Sequence, residues 1–225
     1  MSRLSEHCDV PLTTPSRINK TMGIDSTMKS RLLSTAVAAV FAACGGGADD
    51  AGVPNEGATL QPASAPVAAP STPSGPMLMP DWYGVDHDAK TVRLAITAGT
   101  VPDNNYWNSN GCVKGELAIT VPEGYTVTID FKNQDPIMAH SLGIWAELRN
   151  FAMPPAAEAV FAGAITENPL SMIDGTMPGE TETIEFVADV AGEYSMICYI
   201  AGHTTLGMWL YFNVSATGHA GVQGL

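Results

Sequence analysis

The segment from residue 192 to residue 209 carries three side chains that are suited to binding a soft metal ion. Cys198 is followed after four residues by His203, and His203 after four more by Met208. These residues supply a thiolate, an imidazole and a thioether on one loop. Together with a second histidine, they form the trigonal site with a weak axial methionine that electron-transfer copper uses. Anchoring three ligands between two strands restricts their movement, as fast one-electron transfer requires. The spacing therefore predicts a one-electron copper site.

The second histidine has to come from a distant part of the chain. His140 follows an alternating segment that ends at Phe131 and is the best candidate. His87 lies in an acidic loop and His219 in a polar tail, so both are poorer candidates. Other methionines could supply a different axial contact, although packing of the core or the site rim is their commoner role. These are Met138, Met153, Met172, Met177 and Met196.

Alternating apolar and polar residues predict the strands that must position these ligands. Period-two segments separated by Gly, Pro, Asn and Asp are typical of half-buried strands in an antiparallel sandwich. We therefore predict an all-β domain over residues 77–215, a Greek-key antiparallel β-sandwich, followed by a flexible tail at 216–225. Residues 154–161 could hold one helical turn. The inward-facing residues of the alternating segments are Val92, Leu94, Ile96, Leu117, Ile119, Val121, Tyr125, Val127, Ile129, Phe131, Ile184, Phe186, Tyr194, Met196, Cys198, Met208, Leu210, Phe212 and Val214.

The N-terminal part has the layout of an export signal. Lys29 and Arg31 precede about twelve apolar or small residues, which is too short a run to span a bilayer. Residues 28–43 are therefore predicted to be a signal peptide. The sequence Phe-Ala-Ala-Cys-Gly that ends at residue 45 resembles a bacterial lipobox, which predicts a lipid on Cys44. An ordinary signal peptide beside an unmodified cysteine is the alternative.

Two flanking segments are predicted to lack a core of their own. Residues 1–27 form a doubtful upstream leader, because export signals normally begin near their charged segment; Met22 or Met28 would then be the true start and Cys8 would be absent from the protein. Residues 44–76 are rich in Gly, Ala, Pro and Ser, which predicts a flexible linker with an end-to-end distance of about 30 Å. Cys112 is then left without a partner and is predicted to be structural.

Composition excludes several classes of protein. The 225 residues include 10 Lys and Arg against 23 Asp and Glu, a formal charge of −13, so nucleic acid is not an expected partner. Half of the basic residues precede Cys44, so the part that follows it is more acidic still. No apolar run reaches the roughly 18–20 residues that cross a bilayer, which excludes a polytopic membrane protein. Four cysteines are too few for a disulfide scaffold.

The ligand spacing also resembles a known family. Cys-x4-His-x4-Met after the segment AGEYSMIC, with an upstream histidine after the segment YTVTIDF, resembles the cupredoxins, and the segments IAGH and GMW are most similar to sulfocyanins. The resemblance covers roughly residues 90–215. It implies one type 1 copper ion, cycling between Cu(I) and Cu(II), on His140, Cys198, His203 and, axially, Met208, with an edge of the His203 imidazole exposed. Ser141 replaces the Asn of many relatives, as it does in rusticyanin, which implies a fairly high reduction potential.

These features together predict a blue copper protein that carries single electrons and has no substrate turnover of its own. We expect an exported monomer, periplasmic or at the cell surface, anchored by the N-terminal lipid and docking on redox proteins such as cytochromes or a terminal oxidase. A periplasmic copper delivery or storage protein is the alternative. A copper nitrite reductase or oxidase would need a second cupredoxin-like half or a further copper with its own histidines, and beyond the two ligand histidines the domain contains only His87.

Overall fold

A computed structural model describes Cys8, residues 76–151 and residues 155–224, which belong to one compact unit. The predicted signal peptide, the lipid site at Cys44 and nearly all of the predicted linker lie outside these residues. Within them, no helix is long and apolar enough to cross a membrane. Residues 155–161 hold no helical turn. The elements are β1 (Tyr83–Asp86), β2 (Thr91–Ala98), a 3-10 turn (Asp103–Tyr106), β3 (Leu117–Pro122), β4 (Thr126–Asn133), β5 (Gly143–Trp145), β6 (Thr181–Val187), β7 (Gly192–Ile197), β8 (Trp209–Ser215) and β9 (Gly221–Gly224).

The strands form two sheets, and the prediction of an all-β sandwich is confirmed. One sheet has the order β1-β2-β4-β6 and the other the order β5-β7-β8-β3-β9. The apolar residues of β2 and β4 alternate with exposed or half-buried ones, as the period-two pattern predicts. Val92, Ile96, Val127 and Phe131 are completely buried between the sheets. These three branched side chains and one phenyl ring form part of the hydrophobic core.

The sheets are mixed rather than purely antiparallel, so that part of the prediction is wrong. β2 pairs with β4 in parallel, and β3 pairs with β8 in parallel. The reason lies in the path of the chain: β3 belongs to the other sheet, so the chain leaves the first sheet after β2 and returns in the same direction as β4. Alternation of residues reveals a strand and its buried face but not the direction of its neighbour.

The prediction of a flexible tail at residues 216–225 is also wrong. β9 pairs antiparallel with β3, from Leu117 opposite Gly224 to Thr120 opposite Gly221. Val222 is completely buried, and its amide and carbonyl groups bond to Leu78. β9 is short and contains two glycines, so the sequence shows no alternating pattern there. The strand is stabilised by its pairing with β3 and by one buried valine.

Cys112 is not without a partner, because it forms a disulfide with Cys8. The two Cα atoms are 4.7 Å apart, and both residues are buried within the hydrophobic core. The bond closes a loop across 104 positions of sequence. The prediction that Cys112 has no partner is therefore wrong, whereas a structural role for Cys112 agrees with a buried disulfide. A pairing between two cysteines so far apart leaves no local pattern in the sequence.

Candidate metal centre

The pairing of β5, β7 and β8 brings the predicted ligands to one end of the sandwich. Cys198 directly follows β7 and Met208 directly precedes β8, and the last pair of that antiparallel ladder is Ile197 opposite Trp209. Gly143, which opens β5, is paired with Ile197. The loop that carries His140 just before β5 therefore ends beside the loop of residues 198–208. Strand register thus places residues that are 58 positions apart in the chain at the same site.

Three ligand atoms converge in this place with the spacing of a metal site. Cys198 Sγ lies 3.5 Å from His203 Nδ1 and 3.9 Å from His140 Nδ1, and the two Nδ1 atoms are 3.2 Å apart. Bonds of about 2.0 Å to nitrogen and about 2.3 Å to sulfur, at trigonal or tetrahedral angles, require separations of roughly 3.3–3.8 Å. The observed separations of 3.2, 3.5 and 3.9 Å lie within about 0.1 Å of this range, so the donor set and its geometry fit one copper ion. All three residues are buried.

The loop of residues 198–208 is held by its own backbone hydrogen bonds. The Met208 amide donates to the His203 carbonyl at 2.9 Å, and the Cys198 amide donates to the Met208 carbonyl at 3.3 Å. The Thr204 hydroxyl donates to the Cys198 carbonyl. Gly202 has φ of +89°, a left-handed conformation that glycine adopts without strain, and it turns the chain just before His203. Met208 is buried, and its amide bond to His203 closes the loop directly before β8.

His140 is oriented by a carboxylate that the sequence did not identify. Asp135 Oδ2 lies 2.9 Å from His140 Nε2, and both side chains are buried. The other oxygen, Oδ1, accepts hydrogen bonds from the amides of Ile137 and Met138. With Nε2 facing a carboxylate, its proton stays there and the Nδ1 lone pair faces the other ligands. This fixes the tautomer that a metal ion needs.

The backbone on both sides of His140 is equally fixed. Its amide donates to the Thr176 carbonyl and its carbonyl accepts from the Thr176 amide. The buried Asn133 side chain donates to the carbonyls of Met138 and Thr176, and its oxygen accepts from the Asp135 amide. The amide and carbonyl of His140 and the Asn133 side chain are thus paired inside the protein. The ligand cannot move without breaking several buried hydrogen bonds.

Ser141 connects the two ligand segments. Its hydroxyl oxygen accepts a hydrogen bond from the Tyr199 amide at 2.9 Å and lies 3.7 Å from Cys198 Sγ. Since the oxygen is already an acceptor from the amide, its own proton is available to the sulfur. Hydrogen bonding around the cysteine sulfur is one of the factors that tune the potential of a blue copper site.

Burial governs the ionisation of the metal-binding side chains. Desolvation lowers the pKa of His203 to about 4, with the neighbouring His140 acting in the same direction and Asp135 opposing it. Desolvation also lowers the pKa of His140 against the hydrogen bond and charge of Asp135. It raises the pKa of the Cys198 thiol, although hydrogen bonds from the Ile200 amide and from Ser141 oppose this. The lowered pKa values favour the neutral, metal-binding form of both imidazoles, whereas a metal must displace the thiol proton.

The expectation that an edge of His203 is exposed is wrong. His203 is only 1% exposed, because the indole of Trp107 stacks on its ring with centroids 4.2 Å apart and planes 18° from parallel. Trp107 itself is partly exposed. The residue lies in an Asn-rich loop far from the ligands in sequence, so no spacing rule could have related it to His203.

The other candidate histidines from the sequence do not join the cluster. His87 and His219 are exposed, and His87 bonds instead to the Tyr125 hydroxyl. Met196 belongs to the hydrophobic core and Met172 is 56% exposed, while Met153 lies outside the described residues. The sequence missed Asp135 as well as Trp107; the only signal for Asp135 was its place in an Asp-Pro turn five positions before His140, which indicates a turn rather than a partner.

Comparisons with known proteins give a matching family model, a similar protein sequence and similar solved structures. Residues 82–221 match the family model described as the sulfocyanin (SoxE) domain. The sulfocyanin of Sulfolobus acidocaldarius is 31% identical over 128 residues, which cover 53% of this chain and 61% of that protein. A rusticyanin variant is 22% identical, with a TM-score of 0.45 over 60% of this chain and 88% of its own. Auracyanin from Roseiflexus castenholzii is 22% identical, with a TM-score of 0.40 over 55% of this chain and 96% of its own.

Proposed function

Because the chain belongs to the sulfocyanin (SoxE) family, we propose that it is a blue copper protein that carries single electrons between redox partners and turns over no substrate. The observation that carries this proposal is the convergence of His140 Nδ1, Cys198 Sγ and His203 Nδ1 within 4.8 Å of one another in a buried site. Bound copper would supply a one-electron couple. His140, Cys198, His203 and Met208 would hold it.

The residues around the site support electron transfer rather than substrate chemistry. The four predicted ligands are each 2% exposed or less, which supports a site that a substrate does not reach. Asp135 holds the His140 ring, and the backbone bonds of residues 198–208 hold the other ligands. A shell that is fixed before metal binds keeps the same geometry in both oxidation states, which lowers the cost of each transfer. These features also disfavour copper delivery, which needs ligands that an acceptor can reach.

The test of this proposal is spectroscopic and uses the full chain. Loading with Cu(II) should give an intense blue thiolate-to-copper charge-transfer band and a narrow copper hyperfine splitting in the electron paramagnetic resonance spectrum. Cys198→Ala should abolish the band, whereas His87→Ala, which alters an exposed histidine away from the cluster, should leave it unchanged. A colourless Cu(II) protein would contradict the proposal. Rapid loss of copper to a chelator would favour delivery or storage instead.

We also propose that the protein acts outside the cytoplasmic membrane, periplasmic or at the cell surface, as a monomer tethered by a lipid on Cys44. The support comes from the sequence: the signal-like segment, the lipobox-like residues and the Gly/Ala/Pro/Ser linker. Partners would be cytochromes or a terminal oxidase with basic docking faces, since only five basic residues but 20 acidic ones follow Cys44.

Cleavage before Cys44 would leave residues 1–43 attached to the domain only through the Cys8–Cys112 disulfide. Mass spectrometry of the membrane-extracted protein, with and without reductant, tests the anchor and this consequence together. A lipid mass on a fragment that begins at Cys44 supports the anchor. An intact N-terminus joined to an unmodified Cys44 contradicts it.

A further inference from the structure

Each of the four predicted ligands is shielded from solvent in this structure. His140, Cys198, His203 and Met208 are all 2% exposed or less. The rate at which an electron tunnels between two proteins falls exponentially with the distance that it crosses. An electron carrier must therefore present some other group that both touches a ligand and reaches the surface.

Trp107 is such a group. Its ring stacks on His203 at a centroid separation of 4.2 Å, with no other side chain between the two rings, and the residue is partly exposed. We propose that Trp107 is the electron port of this protein, through whose exposed part electrons enter and leave the site. This inference rests on the proposed electron-carrier function and adds where a partner has to make contact.

The loop that carries Trp107 is built to hold the indole in place. The Trp107 amide donates to the Asn104 carbonyl at 3.0 Å, and the Asn104 side chain donates back to the Trp107 carbonyl at 2.8 Å. Asn104, Asn105 and Tyr106 have φ of 52°, 59° and 63°. Asparagine tolerates such left-handed angles better than most residues, but for a bulky tyrosine they are unusual. Strained backbone persists where the surroundings enforce it, and it is concentrated at functional sites.

The same loop packs closely against the turn that carries Asp135 and His140. Gly99 donates to the Asn108 carbonyl, and a Cβ atom at Gly99 would lie 2.6 Å from the Asp135 amide nitrogen. The completely buried Asn108 bonds through its side chain to the carbonyls of Val101 and Asp103. The indole is therefore connected by short, buried contacts to the turns that position His140.

Trp145 provides a matched comparison within the same domain. Both tryptophans are partly exposed, and within the described part of the chain neither indole nitrogen has a hydrogen-bond partner. Trp145 packs edge-on against Tyr199 at 6.2 Å, and Tyr199 is not a ligand. Of these two tryptophans, Trp107 is the one that combines surface exposure with stacking on a ligand ring.

The proposed step moves one electron and no atoms. With a small cationic oxidant such as tris(phenanthroline)cobalt(III), the reduced site loses one electron and Co(III) becomes Co(II). The indole serves as a bridge and is neither oxidised nor protonated at the end. The negative charge of the domain attracts this cation to the surface in general, so the location of transfer has to be read from variants rather than from the rate alone.

The kinetic test compares Trp107→Phe, Trp107→Leu and Trp145→Leu in the copper-loaded full chain. Phenylalanine keeps a stacked ring and should retain most of the rate. Leucine keeps the cover over His203 but removes the ring, and we expect the oxidation rate to fall by about tenfold while the blue spectrum is retained. Trp145→Leu should leave the rate unchanged. A Trp107→Leu protein with an intact spectrum and an undiminished rate overturns the proposal.

A second measurement needs no variant and no electron transfer. The redox-inert chromium(III) analogue of the same complex is added to zinc-loaded protein. Because the chromium ion is paramagnetic, it broadens the NMR signals of the protein residues that it contacts, and these residues are mapped. Broadening centred on the Trp107 indole and residues 101–106 supports the port. Broadening centred on the exposed Ile137 and Ile173 overturns it. If the wild-type protein gives no blue spectrum, the proposed function fails before the port is tested, so the two failures are distinguishable.

Discussion

The substitution Asp135→Asn separates the charge of this carboxylate from its shape. Asparagine is nearly isosteric but neutral, and the side chain it replaces is buried with one oxygen 2.9 Å from His140 Nε2. A negative charge beside a ligand stabilises the more positive oxidation state of a bound metal. We therefore expect Asp135→Asn to raise the reduction potential of the copper-loaded protein.

The magnitude follows from the geometry. An ion on Nδ1 lies about 4 Å beyond Nε2, across the ring and one metal–nitrogen bond, so the charge and the ion are about 7 Å apart. At an effective dielectric constant of about 20, removing one unit charge at that distance changes the interaction by roughly 2 kcal/mol. For a one-electron couple this corresponds to a rise of roughly 100 mV.

The same substitution should also weaken metal binding. One amide oxygen cannot accept both from Nε2 and from the amides of Ile137 and Met138, which bond to the second carboxylate oxygen. If the amide nitrogen faces Nε2 instead, the histidine proton moves to Nδ1, where the metal binds. Loss of such a supporting group typically costs about 10–100-fold in affinity, which titration with Zn²⁺ measures independently of copper chemistry.

The assay is voltammetry of wild type, Asp135→Asn and the control Asp88→Asn. Asp88 is exposed in the turn between β1 and β2. The eight residues of β2 place it roughly 25 Å from the Asp135 turn, beyond the screening length of about 8 Å at physiological salt. The control should shift the potential by less than about 20 mV. Equal shifts in both variants, or a fall in potential for Asp135→Asn with an intact blue spectrum, would refute the reasoning.

Three further outcomes follow from the site and the disulfide. Ser141→Ala should lower the reduction potential by roughly 40 mV, because a hydrogen bond worth about 1 kcal/mol to the Cys198 sulfur is lost; an unchanged potential by voltammetry would mean that the hydroxyl does not donate to sulfur. In the metal-free protein, stability should fall as the pH drops from 6.5 towards 4, because the unfolded chain gains the His203 proton before the folded one does; urea titrations at pH 7 and pH 4.5 measure this, and the His203→Gln variant should lose part of the difference. Cys8→Ser with Cys112→Ser should lower the free energy of unfolding by up to about 4–5 kcal/mol, the chain-entropy value for a loop of this length, and equal urea midpoints for the double variant and wild type would contradict the bond.

The sequence by itself determined which residues could bind a metal and which strands they follow. Cys198, His203 and Met208 are close along the chain, so their spacing constrains their geometry whatever the rest of the fold does. The alternation in β2 and β4 likewise reflects a period of two that burial of one face imposes. His140 could be chosen from the sequence only because so few histidines compete for the role.

Only the tertiary structure decided what surrounds those ligands. The stack of Trp107 on His203, the bond of Cys8 to Cys112, the pairing of β9 and the parallel partners of β2 and β3 all join segments that are distant in sequence. The contact of Asp135 with His140 is local, yet it depends on a turn whose conformation is fixed by Thr176. Such contacts depend on the path of the whole chain through two sheets. A sequence pattern within one segment therefore does not predict them.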